Sequence, residues 1–200
     1  NNRHPDMNDQ TANPQFITQA KLPTAFGEFT IHVFEHQGQE HLVLTQGEFK
    51  ADDVLLARVH SECLTGDGLF SLRCDCGPQL AFAMEAISEA GKGLIVYLRQ
   101  EGRGIGLVNK LRAYELQDQG FDTVDANTRL GLPDEARDFP TAARMLELLK
   151  IEKIWLMTNN PAKVEALAAQ GVAVTERVAH ALPDNPHNAH YLATKRDRSG

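Results

Sequence analysis

The sequence has little of several features that mark common protein classes. Its 200 residues contain three cysteines, an odd and low number that excludes a fully paired disulfide framework and favours reduced thiols. No apolar run reaches the ~20 residues that a membrane-spanning helix requires, and the N-terminal segment lacks the apolar stretch of a signal peptide. We therefore expect a cytoplasmic protein with no membrane partner.

An excess of positive charge is also missing, because the formal net charge at pH 7 is −7. Binding along a nucleic acid depends on many Lys and Arg side chains that neutralise phosphates, so we expect no nucleic-acid partner. A small anionic ligand needs only a local basic cluster and remains compatible with this balance. Hydrophobic residues make up 42% of the chain, which is enough apolar material for a compact domain with its own core.

The chain divides into a polar tail and one domain. Residues 1–14 contain two prolines and no apolar periodicity, so we expect a tail without core contacts, followed by a single domain over residues 15–200. From Phe16 to His60, apolar runs such as FTIHVFE and HLVLTQ are separated by glycine and proline. This pattern predicts short, partly antiparallel strands.

After Cys76 the pattern changes to alternating helices and strands. A buried strand is predicted at GLIVYLR, and further strands are predicted at KIWLM and VAVTERV. Helices are predicted at Pro78 to Ala90, Ile105 to Gln119, Pro140 to Lys150, and from about Pro161 to Gly171. The expected fold is therefore α/β, a mixed sheet covered by helices with an N-terminal, partly antiparallel β region. Ligands are expected at the loops that follow strand ends.

Cys63, Cys74 and Cys76 lie within fourteen residues of one another. Three protein ligands with an open fourth position are typical of catalytic zinc, on which bound water can reach a pKa of about 7. Two alternatives stay open. The cysteines could hold a structural zinc with His60 as the fourth ligand, or they could be three unrelated buried thiols.

Two further segments combine glycine or a helix start with basic side chains. In LRQEGRGIGLVNK, Arg99, Arg103 and Lys110 surround three glycines after a predicted strand, which suits phosphate binding, although a glycine-rich turn with a solvated basic face fits equally. In TNNPAK, a hydroxyl and a lysine flank the start of a helix, which suits a second phosphate or base contact. Thr158 or Asn160 could instead simply cap that helix.

Taken in order, the motifs ARVHSECLTGD, LFSLRCDCG, LRQEGRGIGL, LRAYELQDQGFDT, RDF and TNNPAKVEAL resemble the GTP cyclohydrolase II family. The resemblance runs from about Ala20 to Lys195. It implies a homodimeric enzyme that binds one zinc per chain and uses magnesium on the GTP triphosphate. It also implies release of formate and pyrophosphate to give 2,5-diamino-6-ribosylamino-4(3H)-pyrimidinone 5′-phosphate, the first step of riboflavin biosynthesis. The alternative is a zinc-stabilised GTP-binding regulatory paralogue with partial or no turnover.

The resemblance also implies site residues. The zinc ligands would be Cys63, Cys74 and Cys76. The GTP-binding residues would be Arg58, Val59, His60, Ser61, Glu62, Gln79, Glu101, Gly102, Arg103, Thr123, Thr158 and Lys163.

Three catalytic residues follow from the same resemblance. Tyr114 would be needed for complete ring hydrolysis, and Arg137 would attack the α-phosphate. A guanidinium stays protonated, so the residue chemistry alone favours Arg137 as a phosphate clamp, and both roles stay open. Glu135 occupies the position of the family's proton-accepting aspartate and is predicted to be the base. A shifted loop would present Asp134 instead, and both carboxylates could also be surface charges near a helix start.

Overall fold

We analysed a computed structural model that describes residues 13–102, 104–122, 125, 139–158 and 160–178, with the backbone alone at 175–178. The strands among them form one seven-stranded sheet in the order β1-β2-β3-β5-β4-β6-β7. Their bounds are β1 Gln15–Thr24, β2 Gly27–His36, β3 Gln39–Gln46, β4 Val54–Ser61, β5 Gly93–Leu98, β6 Lys153–Met157 and β7 Ala173–Val178.

The sheet has an antiparallel part and a parallel part. Strands β1, β2 and β3 form an antiparallel meander, and β3 joins β5 antiparallel. Strands β5, β4, β6 and β7 then run parallel to their neighbours. The β2–β3 turn places Gln37 and Gly38 at φ 49° and 75°, as tight two-residue hairpins require. The predicted mixed α/β sheet with an N-terminal antiparallel region is confirmed.

Helices cover this sheet close to where the sequence predicts them. α2 begins two residues before Pro78, and Gly91 ends it in the left-handed conformation with φ 83°. α4 ends earlier than predicted, two residues before Lys150, which itself has a positive φ of 59°. The bounds are α1 Leu64–Asp67, α2 Cys76–Ala90, α3 Leu107–Asp118, α4 Phe139–Leu148 and α5 Pro161–Ala169. No described helix is both long enough and apolar enough to cross a membrane.

Both faces of the central strands are buried. One face packs Val59 and Val96 with Met145 and Leu146 of α4 and Leu167 of α5. The other face packs Phe29, Leu44 and Ile95 with Ala83 and Ile87 of α2. Burial on both faces explains why β4 and β5 read as near-continuous apolar runs rather than alternating ones.

The parallel strands bring three loop segments to one edge of the sheet. Strands β4, β5 and β6 run parallel, so their carboxyl ends point the same way. The segments that follow them begin at Glu62, Arg99 and Thr158. Ligands in open α/β sheets bind at the carboxyl ends of strands, and this edge carries the motifs that the sequence analysis selected.

Candidate metal and nucleotide site

Three cysteines converge immediately after β4. Cys63 is the N-cap residue of α1, and Cys76 is the first residue of α2. The Sγ atoms of Cys63 and Cys74 lie 3.6 Å apart, and all three Sγ atoms lie within 4.8 Å of one another. Tetrahedral zinc with Zn–S bonds of ~2.3 Å separates its sulfur ligands by about 3.8 Å. The cluster therefore fits a metal ion such as zinc.

Two glycines make room for this cluster. A Cβ atom on Gly66 would lie 2.7 Å from Sγ of Cys74 and 3.0 Å from Cβ of Cys76. A Cβ atom on Gly77 would lie 2.3 Å from the backbone oxygen of Gly66. The α1 turn and the start of α2 can pack this closely only because neither position carries a side chain. Sequence reasoning missed both glycines, although both stand inside the quoted cysteine motifs.

The structure places His60 on Asp67 rather than among the cysteines. Nε2 of His60 lies 3.0 Å and 3.1 Å from the two carboxylate oxygens of Asp67. Tyr97 stacks on the His60 ring at 5.4 Å and donates its hydroxyl hydrogen bond to Oδ2 of Asp67 at 2.7 Å. The backbone N–H of Cys63 donates to the same oxygen at 3.0 Å. The hypothesis of His60 as the fourth ligand is therefore not supported, and Asp67 is a site residue that the sequence did not reveal.

The ammonium group of Lys110 contacts the cysteine cluster. Its Nζ atom lies 3.0 Å from Sγ of Cys63, 3.0 Å from Oγ1 of Thr65 and 2.7 Å from Oε1 of Glu101. The other oxygen of Glu101 accepts a hydrogen bond of 2.8 Å from the backbone of Leu64. Burial acts to lower the pKa of Lys110, but its bonds to Cys63 and Glu101 outweigh burial and raise it. Lys110 is thus a buried ammonium group.

The pKa values of the three thiols are shifted in different directions. The pKa of the Cys63 thiol is lowered, mainly by hydrogen bonds from Cys74 and Cys76. Hydrogen bonds from Lys110 and Thr65 lower it further, and burial acts in the opposite direction. The bond to Cys63 raises the pKa of Cys74 to about 11. Bonds to the other two thiols, and then burial, raise the pKa of Cys76. Cys63 is therefore the thiol of the three whose contacts most favour the thiolate form.

Tyr114 of α3 lies between Arg73 and Lys110, and its predicted role in ring hydrolysis stays a prediction. The guanidinium carbon of Arg73 lies 4.3 Å from the centroid of the Tyr114 ring, and Nζ of Lys110 lies 5.7 Å from it. Arg73 also donates to the backbone oxygen of Tyr114 at 2.9 Å and to Asp118 at 2.8 Å. Burial raises the pKa of Tyr114 to about 12. Arg73, which sequence reasoning missed, therefore fixes α3 against the cysteine loop.

Arg58 and Gln79 meet between the sheet and α2. The buried guanidinium of Arg58 donates to Oε1 of Gln79 at 2.6 Å and to the backbone oxygen of Met157 at 3.2 Å. The side-chain amide of Gln79 donates in turn to the Asp75 carboxylate. The structure thus joins two predicted GTP-binding residues in one hydrogen-bond chain. The side chain of Val59, in contrast, packs in the hydrophobic core.

Ser61 and Glu62 lie at the end of β4. The buried Oγ atom of Ser61 has no hydrogen-bond partner among the described residues. Glu62 forms an ion pair with Arg99, with 3.5 Å between Oε1 and Nε. Gly102, with φ 63°, lies in the tight turn that precedes α3 and carries Glu101 to the cysteines. The hydroxyl of Ser61, buried and without a partner among the described residues, is the kind of group that a bound ligand satisfies.

The start of α5 shows which of the two open interpretations applies there. Oδ1 of Asn160 accepts a hydrogen bond from the backbone N–H of Ala162 at 2.9 Å, so Asn160 caps the helix. Oγ1 of Thr158 accepts from the backbone N–H of Asn160 at 3.0 Å. Thr158 and Lys163 are both buried. The capping hypothesis is confirmed for Asn160, while GTP binding by Thr158 and Lys163 stays a prediction.

Several predicted residues lie outside the part of the chain that the structure describes. They are Arg103, Thr123, Asp134, Glu135 and Arg137. Their roles remain predictions from the family resemblance.

Comparisons with known proteins identify the family. A solved two-domain 3,4-dihydroxy-2-butanone 4-phosphate synthase from A. baumannii covers 86% of this chain at 20% identity and a TM-score of 0.44, and this chain spans 41% of that one. A family model described as GTP cyclohydrolase II matches residues 15–179. GTP cyclohydrolase-2 of Teredinibacter turnerae is 54% identical over 188 residues, covering 93% of this chain and 94% of that protein. GTP cyclohydrolase-2 of Acinetobacter baumannii is 56% identical over 187 residues, covering 92% and 94% respectively. The chain therefore belongs to the GTP cyclohydrolase II family and is an enzyme of that type.

Proposed function

We propose that this enzyme uses one bound zinc ion to hydrolyse GTP, opening the guanine imidazole ring in the first step of riboflavin biosynthesis. The observation that carries the proposal is the convergence of three thiols at the carboxyl end of β4, in a chain of this family. Formate and pyrophosphate would leave, and a ribosylated diaminopyrimidinone phosphate would remain.

Cys63, Cys74 and Cys76 would hold the zinc through their three sulfur atoms. When bound there, zinc supplies a Lewis acid and lowers the pKa of coordinated water to about 7. The reaction consumes two waters at the guanine ring. The first adds at C8 and breaks a ring C–N bond, and the second cleaves the resulting formamide to release formate.

Tyr114 would donate a hydrogen bond to the nitrogen atoms that leave carbon in these steps. Each departing ring nitrogen needs a proton as its bond to carbon breaks. The pKa of Tyr114 is about 12, so its hydroxyl keeps its proton at neutral pH and can donate a hydrogen bond to a developing negative charge. Its place beside Lys110, which contacts Cys63, supports this role.

A third water would be consumed in releasing pyrophosphate from the triphosphate. Magnesium on the triphosphate, with Arg58 and Lys163 near the carboxyl ends of β4 and β6, would offset the phosphate charge. Arg137 would either attack the α-phosphate or clamp it. The family resemblance also supports a cytoplasmic homodimer.

Turnover tests the proposal directly. Purified protein loaded with zinc is incubated with GTP and magnesium, and formate and pyrophosphate are assayed separately. We expect both products from the unmodified enzyme and no formate from Cys74→Ser. GTP binding without formate release would favour the regulatory paralogue. Formate release from a triple-serine variant of the three cysteines would exclude the zinc mechanism.

A further inference from the structure

The side chain of Lys110 brings an ammonium group to the cysteine cluster. Nζ of Lys110 lies 3.0 Å from Sγ of Cys63, and only 8% of the residue is exposed. The same nitrogen also bonds Thr65, whose hydroxyl lies 3.5 Å from Sγ of Cys63. The ammonium group and the Thr65 hydroxyl thus both contact the Cys63 sulfur atom.

The charge of the site explains why a cation belongs there. One divalent ion with three thiolates carries one excess negative charge, and the carboxylate of Glu101 lies next to it. Cys63 is 5% exposed and Cys74 is 3% exposed, so water can offset little of this charge. Buried charges are costly unless they are paired. Removing the ammonium group would leave two adjacent buried negative charges without compensation.

We propose that Lys110 is a positioning residue for the metal centre, offsetting the negative charge of the zinc–thiolate cluster and orienting the Cys63 sulfur atom. This inference rests on the proposed zinc site. Groups outside the ligand sphere that bond to metal ligands typically change metal affinity or activity by about 10–100-fold when they are removed. Lys110 has the required bond to a ligand atom, and Glu101 and Thr65 fix the direction of its ammonium group.

The test measures zinc affinity rather than turnover. Zinc dissociation constants are determined by competition with a chromophoric chelator, and the thiolate-to-cobalt charge-transfer bands are recorded after substitution with Co²⁺. We expect Lys110→Met to weaken zinc binding by about 10–100-fold and to shift these bands. Lys110→Arg keeps the charge and should recover most of the affinity. Lys92→Met, at a partly exposed lysine paired with Asp53, is the matched control and should change neither measurement.

A double variant separates charge compensation from simple structural support. Glu101→Gln combined with Lys110→Met removes one negative charge together with the positive one, so its zinc affinity should exceed that of Lys110→Met alone. A further loss in the double variant would show that Lys110 acts only as a structural link, and would overturn the proposal. If Lys110→Met does not fold, Lys110→Gln replaces it. This variant keeps a donor without the charge, and unchanged zinc affinity in it would equally overturn the proposal.

The two proposals fail in different ways. If the unmodified protein binds no zinc in the chelator competition, the zinc site itself is wrong. If it binds zinc and the Lys110→Met variant binds it equally well, only the role of Lys110 is wrong.

Discussion

The carboxylate of Asp67 accepts a hydrogen bond of 3.0 Å from Nε2 of His60, and this pair joins the end of β4 to the helix that follows Cys63. Tyr97 of β5 and the backbone N–H of Cys63 donate to the same carboxylate. One buried side chain thus fixes two strands and the first cysteine relative to each other. Its contribution is structural, and it should be visible in the stability of the enzyme.

Asp67→Ala should lower the free energy of unfolding by about 2–4 kcal/mol, because it leaves buried donors on His60 and Tyr97 without an acceptor. Asp67→Asn keeps an acceptor oxygen and should cost less. Urea denaturation measures both. Asp118→Ala removes an exposed carboxylate paired with Arg73 and serves as the control, with an expected loss below about 1 kcal/mol. Equal losses at the two aspartates would contradict the structural role of Asp67.

Gly66→Ala should reduce zinc content and activity together, because the new Cβ atom would lie 2.7 Å from Sγ of Cys74. Either the sulfur atom or the α1 turn must move, and a tetrahedral site tolerates little displacement. Zinc per chain is measured by atomic absorption after dialysis. Gly68→Ala in the same turn is the control, since its nearest contact would be 3.3 Å away. A full zinc content in Gly66→Ala would show that the loop adapts.

The sequence predicted the mixed sheet and most of the helices, because these depend on local patterns. Hydrophobic periodicity and glycine positions define β4, β5 and α2. The four-residue α1 has no such pattern, since it is too short to show a helical period. Its existence was therefore not predicted, although Cys63 and Gly66 within the motif were visible.

The side-chain network around the cysteines could not be predicted from the sequence. Lys110 is 47 positions from Cys63, and its direction depends on how the turn before α3 packs against α1. Sequence reasoning placed it with Arg99 and Arg103 as a phosphate contact because basic residues near glycines favour that interpretation. Arg73 and Tyr114 likewise meet only through tertiary packing.

Stability should depend on pH through His32. Burial lowers the pKa of this side chain below its usual 6.5, and its Nε2 atom lies 2.9 Å from Oγ1 of Thr45. Below pH 6.5 the unfolded chain binds a proton at this site that the folded chain does not, so the free energy of unfolding falls as pH decreases through this range. Above pH 6.5 the stabilising contribution of neutral His32 to the free energy of unfolding is fully present.

Comparing His32→Gln with the unmodified protein measures how much of the pH dependence of stability is due to His32. Glutamine keeps a donor for Thr45 but does not titrate, so the unfolding free energy of this variant should depend less steeply on pH below 6.5. Urea denaturation at several pH values in this interval gives both slopes. Identical slopes would assign the pH dependence to other groups.

Glu135 is predicted to be the proton acceptor, at a position where the family has an aspartate. Loss of a general base typically costs about 10²–10⁴-fold in rate, so Glu135→Gln should reduce kcat by that order with little change in KM. Asp134→Asn, one residue earlier, is the matched comparison. A large loss in kcat confined to Asp134→Asn would transfer the role to Asp134, and small losses in both would remove this pair from the mechanism.

Tyr114→Phe tests whether the phenol takes part in ring hydrolysis or only packs beneath Arg73. The substitution keeps the ring that Arg73 covers at 4.3 Å, so α3 should stay in place and GTP affinity should change little. Loss of the hydroxyl removes the hydrogen-bond donor proposed for the departing nitrogen, and formate release should fall by about 10²–10⁴-fold. Tyr97→Phe is the matched control, because its hydroxyl bonds Asp67. It should lower stability by about 1 kcal/mol and formate release less than about tenfold. Comparable losses of formate release in both variants, with equal losses of stability, would mean that Tyr114 supports the fold and not the reaction.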